Sequence, residues 1–306
     1  MDSRSDAAEL LMDERRHLIN LAYRLLGSLA DAEDAVQEAF TRWFALSPQQ
    51  QGSIVSPGAW LTTVVSRICL DQLGSARARR EQYVGQWLPE PLPDLTEWSG
   101  SADPADRITL DESIDMAFLV VLDAMTPAER VTFLLHDVFR YPFAEVAEMV
   151  GRTPAACRQL ATSARRRVRE ARPVATPSPQ RAEIVRGFKQ AWEAKDIGAL
   201  IELLDASATA VADGGGLVTA SLQPVEGGEQ IARYLVGLAE QIELAGSAGA
   251  LTLLERTVNG HAGLVATQDG VPIAVYAFEI AGETIQRIWV VRNPEKLRTW
   301  TDRGTQ

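Results

Sequence analysis

Between residues 151 and 172 the chain reads GRTPAACRQLATSARRRVREAR, where Arg152, Arg158, Arg165, Arg166, Arg167, Arg169 and Arg172 meet only Glu170 as counter-charge. The whole chain carries a net charge of −11, but this stretch alone is +6, and a phosphate-binding face needs only local charge. Just upstream, a short helical run from Phe143 to Val150 leads into Gly151 and Arg152. Thr153 and Pro154 then stand as N-cap and first residue of a second helix. That is the outline of a helix-turn-helix. In such a motif the start of the second helix enters the major groove while flanking side chains grip phosphate. Cys157, Arg158 and Gln159 are therefore the expected base readers, and Arg152, Thr162, Arg165 and Arg166 the expected backbone contacts.

Other chemistry is thinly represented. Three histidines (His17, His136, His261) and two cysteines (Cys69, Cys157), far apart and without CxxC spacing, supply no metal-ligand pattern, so neither metal nor cofactor is expected. Asp213 and His261 form one conceivable acid–base pair. Their local sequences are those of turns, Asp213 ahead of three glycines and His261 within NGHAG, and no catalysis is expected of them. No apolar run approaches a membrane span, and the acidic, polar start MDSRSDAAEL is unlike a signal peptide, so a cytoplasmic protein with reduced thiols and no membrane contact is expected.

At 306 residues, 46% hydrophobic and 23% charged, the chain suits two or three globular domains. Two stretches, 6–80 and 104–172, have helical periodicity. Asp31, Glu33 and Asp34 open an amphipathic helix with Val36, Phe40, Trp43 and Phe44 on one side and Gln37, Glu38, Thr41 and Arg42 on the other. A Ser/Gln/Gly/Pro-rich loop, 47–58, precedes a second amphipathic helix through Leu61, Val64, Val65, Ile68 and Leu73 that ends basic. After the proline-rich linker RPVATPSPQ come two helices, a strand and several β-rich runs, an α+β pattern. Between the helical blocks lies QWLPEPLPDL, whose prolines forbid a helix and whose Trp87, Leu88, Leu92 and Leu95 call for a cover.

The segments YRLLGSLADAEDAVQEAFTRWF and AWLTTVVSRICLDQLGSARARR, with the helix-turn-helix behind them, resemble regions 2 and 4 of an extracytoplasmic-function RNA polymerase sigma factor over residues 10–172. The resemblance implies that Asp31, Asp34, Gln37, Glu38 and Thr41 face the clamp helices of bacterial core polymerase. It implies that residues 47–80 recognise and open the minus-10 element, and that residues 110–172 read the minus-35 element while resting on the polymerase flap. Strand opening needs a pocket for an unstacked base and phosphate contacts beside it, roles open to Trp60, Arg77, Arg79 and Arg80. Trp60 is equally placed to pack into the helical core.

The C-terminal part resembles the SnoaL-like, NTF2-like cone, and the whole arrangement is similar to the sigma-J type that carries this extension. Three signatures of that group can be matched: WLPEPL at 87–92, DGGGL at 213–217 with Leu217 in place of a lysine, and NPEKL at 293–297. The expected architecture is two all-α sigma domains, a helical bundle and a helix-turn-helix, followed by an α+β cone. Its expected limits are 1–84 for region 2, 85–107 for a linker, 108–172 for region 4, 173–180 for a second linker and 181–306 for the cone. The cone is expected to regulate the sigma regions in place of a separate anti-sigma factor. Trp87, Leu88, Pro89 and Leu92 would pack on Asp213, Gly214, Gly215 and Gly216 and on Asn293, Pro294 and Lys296. Cone folds also hold small molecules, which leaves an unidentified ligand as a further partner. The other reading is a helix-turn-helix regulator of duplex DNA with a ligand-binding cone.

Overall fold

The computed structural model describes residues 3–80, 83–94, 115–171, 176–244 and 251–301, and the side chains of these except 3–13, 76–80 and 242–244. They fall into two compact units. The first holds the helices before residue 81 and those from Phe118 to Ala171; the second holds 83–94, 115–117 and everything after 175.

In the first unit, α1 (Ser3–Leu26) and α2 (Leu29–Phe44) are joined at Gly27, whose φ of 72° suits a residue without a Cβ. Ser28 caps α2 by accepting from the Asp31 amide at 3.3 Å. Ala32, Ala35, Val36, Ala39 and Trp43 form the buried stripe of α2. Phe44, expected on that stripe, is 66% exposed and stacks on Phe40 at 6.2 Å instead. The expected loop after α2 contains a helical turn, α3 (Pro48–Ser53), because Ser47 and Gln50 satisfy each other's backbone amides and Pro48 starts the turn. Helix α4 (Pro57–Arg80) buries Leu61, Val65, Ile68, Cys69 and Leu73.

The second helical set of this unit comprises α5 (Met116–Asp123), α6 (Pro127–Phe133), a π-helical turn (Leu134–Val138), α7 (Phe143–Val150) and α8 (Pro154–Ala171). Thr126 and Glu129 form a capping box at the start of α6. Residues 104–114, also expected to be helical, lie outside the described residues.

The second unit opens with α9 (Ser178–Glu193) and α10 (Ile197–Leu203), which lead into β1 (Leu204–Asp213) and β2 (Val225–Glu226). Helix α11 (Gly228–Leu244) follows, then β3 (Leu251–Val258), β4 (His261–Gln268), β5 (Val271–Ala281) and β6 (Thr284–Val291). A 3-10 turn (Pro294–Leu297) and α12 (Arg298–Thr301) complete it. The sheet runs β2-β1-β6-β5-β4-β3, with β1 and β6 parallel and the other neighbours antiparallel. Phe188 of α9 meets Phe278 of β5 at 5.3 Å, and Trp192 meets Tyr276 at the same distance. These rings fill the space between helices and sheet, and the Trp192 indole donates to the Leu235 carbonyl at 3.0 Å. This is the expected α+β cone, a sheet wrapped by helices.

Candidate functional site

The helix-turn-helix forms as its local chemistry dictates. Gly151 ends α7 in the left-handed conformation (φ 68°), and the Thr153 hydroxyl accepts from the Ala156 amide at 3.2 Å to start α8. Along α8, Cys157, Ala161 and Ala164 are buried, whereas Arg158, Gln159, Thr162, Arg166 and Arg169 line an open groove with Ser163. Arg152 is exposed as well. The Arg158 guanidinium lies 5.8 Å from the centre of the Phe143 ring, which steadies it at the mouth of the motif. Thr162 donates to the Arg158 carbonyl at 2.8 Å, and Arg165 is held by Asp137 at 2.7 Å.

One expectation fails here. Cys157 is fully buried, and burial, the largest influence on its thiol, pushes its pKa up, so this side chain belongs to the core and cannot read a base edge. Arg169, not expected among the contacts, lines the groove because it continues the three- and four-residue spacing of Arg158, Thr162 and Arg166.

On α2, Asp31, Asp34, Gln37, Glu38 and Thr41 are all exposed and share one face. Glu38 pairs with Arg42, and Thr41 donates to the Gln37 carbonyl at 2.9 Å. Trp60 is half-buried and tilted against Trp43 at 5.4 Å. The side chains of Arg77, Arg79 and Arg80, at the end of α4, lie outside the described residues.

Within the second unit, residues 83–94 form a strap fixed at three places. Asp213, at the end of β1, is the hub. One carboxylate oxygen accepts from the Tyr83 hydroxyl at 2.6 Å and the Gly215 amide at 3.0 Å. The other accepts from the Leu88 amide at 2.9 Å and the Lys296 ammonium at 2.7 Å. Lys296 also donates to the Leu88 carbonyl at 2.5 Å and sits 4.2 Å from the centre of the Trp87 ring. Asn293 donates to the Tyr83 hydroxyl at 3.0 Å. Burial, then the hydrogen bond to Asp213, holds the Tyr83 phenol well above its ordinary range. Farther along, the Asn259 side-chain oxygen accepts from the Leu92 amide at 3.1 Å and its own amide donates to the Leu92 carbonyl at 2.9 Å. The Trp300 indole donates to the Pro91 carbonyl at 2.9 Å. Leu88, Pro89 and Leu92 are buried, Trp87 is half-buried and Pro294 is exposed.

The glycines of the DGGGL loop answer to this geometry. A Cβ on Gly214 would stand 2.5 Å from the Val218 carbonyl oxygen, and one on Gly215, already at φ 66°, would stand 2.4 Å from Asn293 Nδ2. Gly216 packs beside Val84, and Leu217 is 61% exposed. Gly215→Ala should therefore cost more than about 1 kcal/mol and loosen Asn293, which thermal unfolding of the purified protein would register as a lowered midpoint. His261 faces Asp115 at 3.5 Å, while Asp213 is committed to the strap, so these two do not form an acid–base pair.

A bundle of helices, a second helical set ending in an arginine-lined helix-turn-helix and an α+β cone define a multidomain DNA-reading protein. Residues 10–79 match the family model for Sigma-70 region 2, and residues 115–168 match that for Sigma-70 region 4. The chain is 38% identical over 297 residues to the ECF RNA polymerase sigma factor SigJ of Mycobacterium tuberculosis, covering 92% of this chain and 90% of that protein. It is 35% identical over 287 residues to a probable ECF RNA polymerase sigma factor, SigI, of the same species, covering 92% of both. The crystal structure of the M. tuberculosis extracytoplasmic function sigma factor SigJ superposes with a TM-score of 0.74 at 34% identity, covering 95% of this chain and 98% of that one. The chain belongs to the extracytoplasmic-function RNA polymerase sigma factors, and it acts in promoter recognition and transcription initiation. The alternative of a duplex-binding regulator is not favoured, because both sigma regions are present in order.

Proposed function

We propose that this sigma factor docks on the clamp of core polymerase through Asp31, Asp34, Gln37, Glu38 and Thr41. It reads the minus-35 element with Arg158 and Gln159, holds that DNA through Arg152, Thr162, Arg166 and Arg169, and rests region 4 on the flap. Arg77, Arg79 and Arg80 contact the minus-10 DNA, and Trp60 supports the opening segment from its seat on Trp43. The protein works in the cytoplasm without catalysis or cofactor, with region 2 within 1–84, region 4 within 108–172 and the cone within 181–306.

The regulatory part of the reading rests on one observation, the buried Asp213–Lys296 pair closing on the Leu88 backbone. In sequence the strap joins the two DNA-reading regions. By anchoring it, the cone governs how far those regions can separate and takes the place of a separate anti-sigma factor. Proline-rich chain suits this, because little entropy is lost when it is immobilised. The aromatic filling of the cone favours this protein contact over the holding of a ligand.

Run-off transcription with purified core polymerase tests the whole. Asp34→Arg with Glu38→Arg, on an exposed face where the fold does not depend on them, should lower core affinity by about tenfold or more through like-charge repulsion. A pull-down with unchanged affinity, and normal circular dichroism, would remove α2 from the interface.

A further inference from the structure

One polar face of α4 is covered in this structure. Thr62 and Ser66, one helical turn apart, are both fully buried. The Thr62 hydroxyl is 3.1 Å from that of Tyr141, and Arg67 donates to the Glu148 carbonyl at 3.0 Å. Leu70, one turn beyond Ser66, lines a cavity together with Thr126, Val150 and Leu160. The hydroxyl of Ser66 is buried with no partner, which costs free energy that an apolar residue would not. A helix face of Thr, Ser and Arg is suited to water or a polyanion, and it is under cover here.

The cover is an unusual loop. The π-helical turn ends with the Phe139 amide on the Leu134 carbonyl and the Tyr141 amide on the Leu135 carbonyl, both at 2.9 Å. Between them Arg140 takes φ 65°, a left-handed conformation that a non-glycine residue keeps only when its surroundings hold it. This brings Phe139 and Tyr141 together onto the first helices. The Phe139 ring stands edge-on to His17 at 5.2 Å and 5.7 Å from the Arg24 guanidinium. The Tyr141 hydroxyl reaches His17 Nε2 at 3.4 Å.

We infer that the Phe139–Tyr141 loop is an intramolecular clasp that masks the polar face of α4, holds regions 2 and 4 together, and opens when the protein engages polymerase and promoter. The inference rests on the sigma-factor reading. Promoter elements lie about two DNA turns apart, at roughly 34–36 Å per turn, and two modules joined by hydrogen bonds cannot reach both. The contact is small and polar, as a reversible one must be.

His17 makes the clasp sensitive to acid. Its ring is faced by Glu14 and Arg24 from α1 and by Phe139 and Tyr141 from the loop; Glu145 of α7 is the next charged group, acting on Tyr141. Burial is the largest influence and lowers the His17 pKa below its ordinary 6.5; Glu14 opposes this and Arg24 adds to it. The clasped state therefore holds His17 neutral, whereas an opened state titrates near the ordinary value. Clasp stability is complete above about pH 6.5 and falls as pH drops below it, because the open state then binds the extra proton.

The test uses the full-length protein spin-labelled at Ser53→Cys and Ala144→Cys, both exposed positions, with Cys69 and Cys157 buried from the label. At about pH 7.5 a single short separation is expected, and at about pH 5.5 a longer, broader one. His17→Gln should abolish that pH response. Phe139→Ala with Tyr141→Phe should lengthen the separation at both pH values and, without labels, raise run-off transcription at limiting sigma factor by about fivefold. Tyr141→Phe alone, which removes one oxygen, should shift both in the same direction in a protein of unaltered circular dichroism. Separation and transcription at the wild-type level in both loop variants would overturn the clasp. A wild-type separation that ignores pH would overturn the role of His17.

Discussion

Lys296→Met is expected to free the first half of the strap while leaving the second half in place. The substitution keeps the aliphatic stem against Trp87 but strips the ammonium from a carboxylate that is fully buried. Breaking a buried pair on one side leaves an uncompensated charge and costs about 3–5 kcal/mol. Here Tyr83, Leu88 and Gly215 still donate to Asp213, which places the loss at the lower end, about 3 kcal/mol. Hydrogen exchange separates the two anchors. The Leu88 amide, bound to Asp213, should lose protection, whereas the Leu92 amide, bound to Asn259, should keep it. On the regulatory reading, transcription from core polymerase rises in parallel. A variant with Leu88 unprotected but transcription unchanged would show that the strap is structural and that its anchoring does not restrain the sigma regions.

Arg158→Ala and Arg166→Ala should part company on DNA. Arg158 projects from the first turn and a half of α8, steadied by Phe143, where a guanidinium can bond a guanine edge through two hydrogen bonds. Its loss should cost about 1–3 kcal/mol on the preferred minus-35 sequence and little on others. Arg166, two turns farther along the groove, is a phosphate contact. Its loss should weaken all sequences alike and reduce the slope of affinity against salt by about one. Equal losses on every sequence from both variants would make Arg158 a second phosphate contact. Arg165→Ala should do less than either, because Asp137 already occupies its guanidinium.

Much of this protein was legible along the chain wherever the cause is local. Gly151, Thr153 and Pro154 end one helix and begin the next through contacts within four residues, and the arginine spacing of α8 marks its outward face. Ser47, Pro48 and Gln50 carried an equally local message, a capping box, inside a segment whose composition reads as loop. Composition averages over positions, and caps depend on position.

What the chain alone left open turned on which neighbour each side chain meets. Successive helical residues point about 100° apart, so one of Cys157 and Arg158 had to face inward, and the packing of α6 and α8 chose the cysteine. The dipeptide Asn259–Gly260 announces a hairpin, but nothing nearby says that the Asn259 side chain will bind Leu92, 167 positions earlier. Likewise Asp213 reads as a turn-capping residue, and it does accept from Gly215, yet its larger task is to hold Lys296, 83 positions later, and the strap amide of Leu88. Turns, caps and periodicity are settled by short-range sterics and hydrogen bonds that any reader of the sequence can apply. The destination of a buried charge is settled only when the sheet, the loop and the strap have folded around it, because only then does its desolvation have to be matched by particular donors.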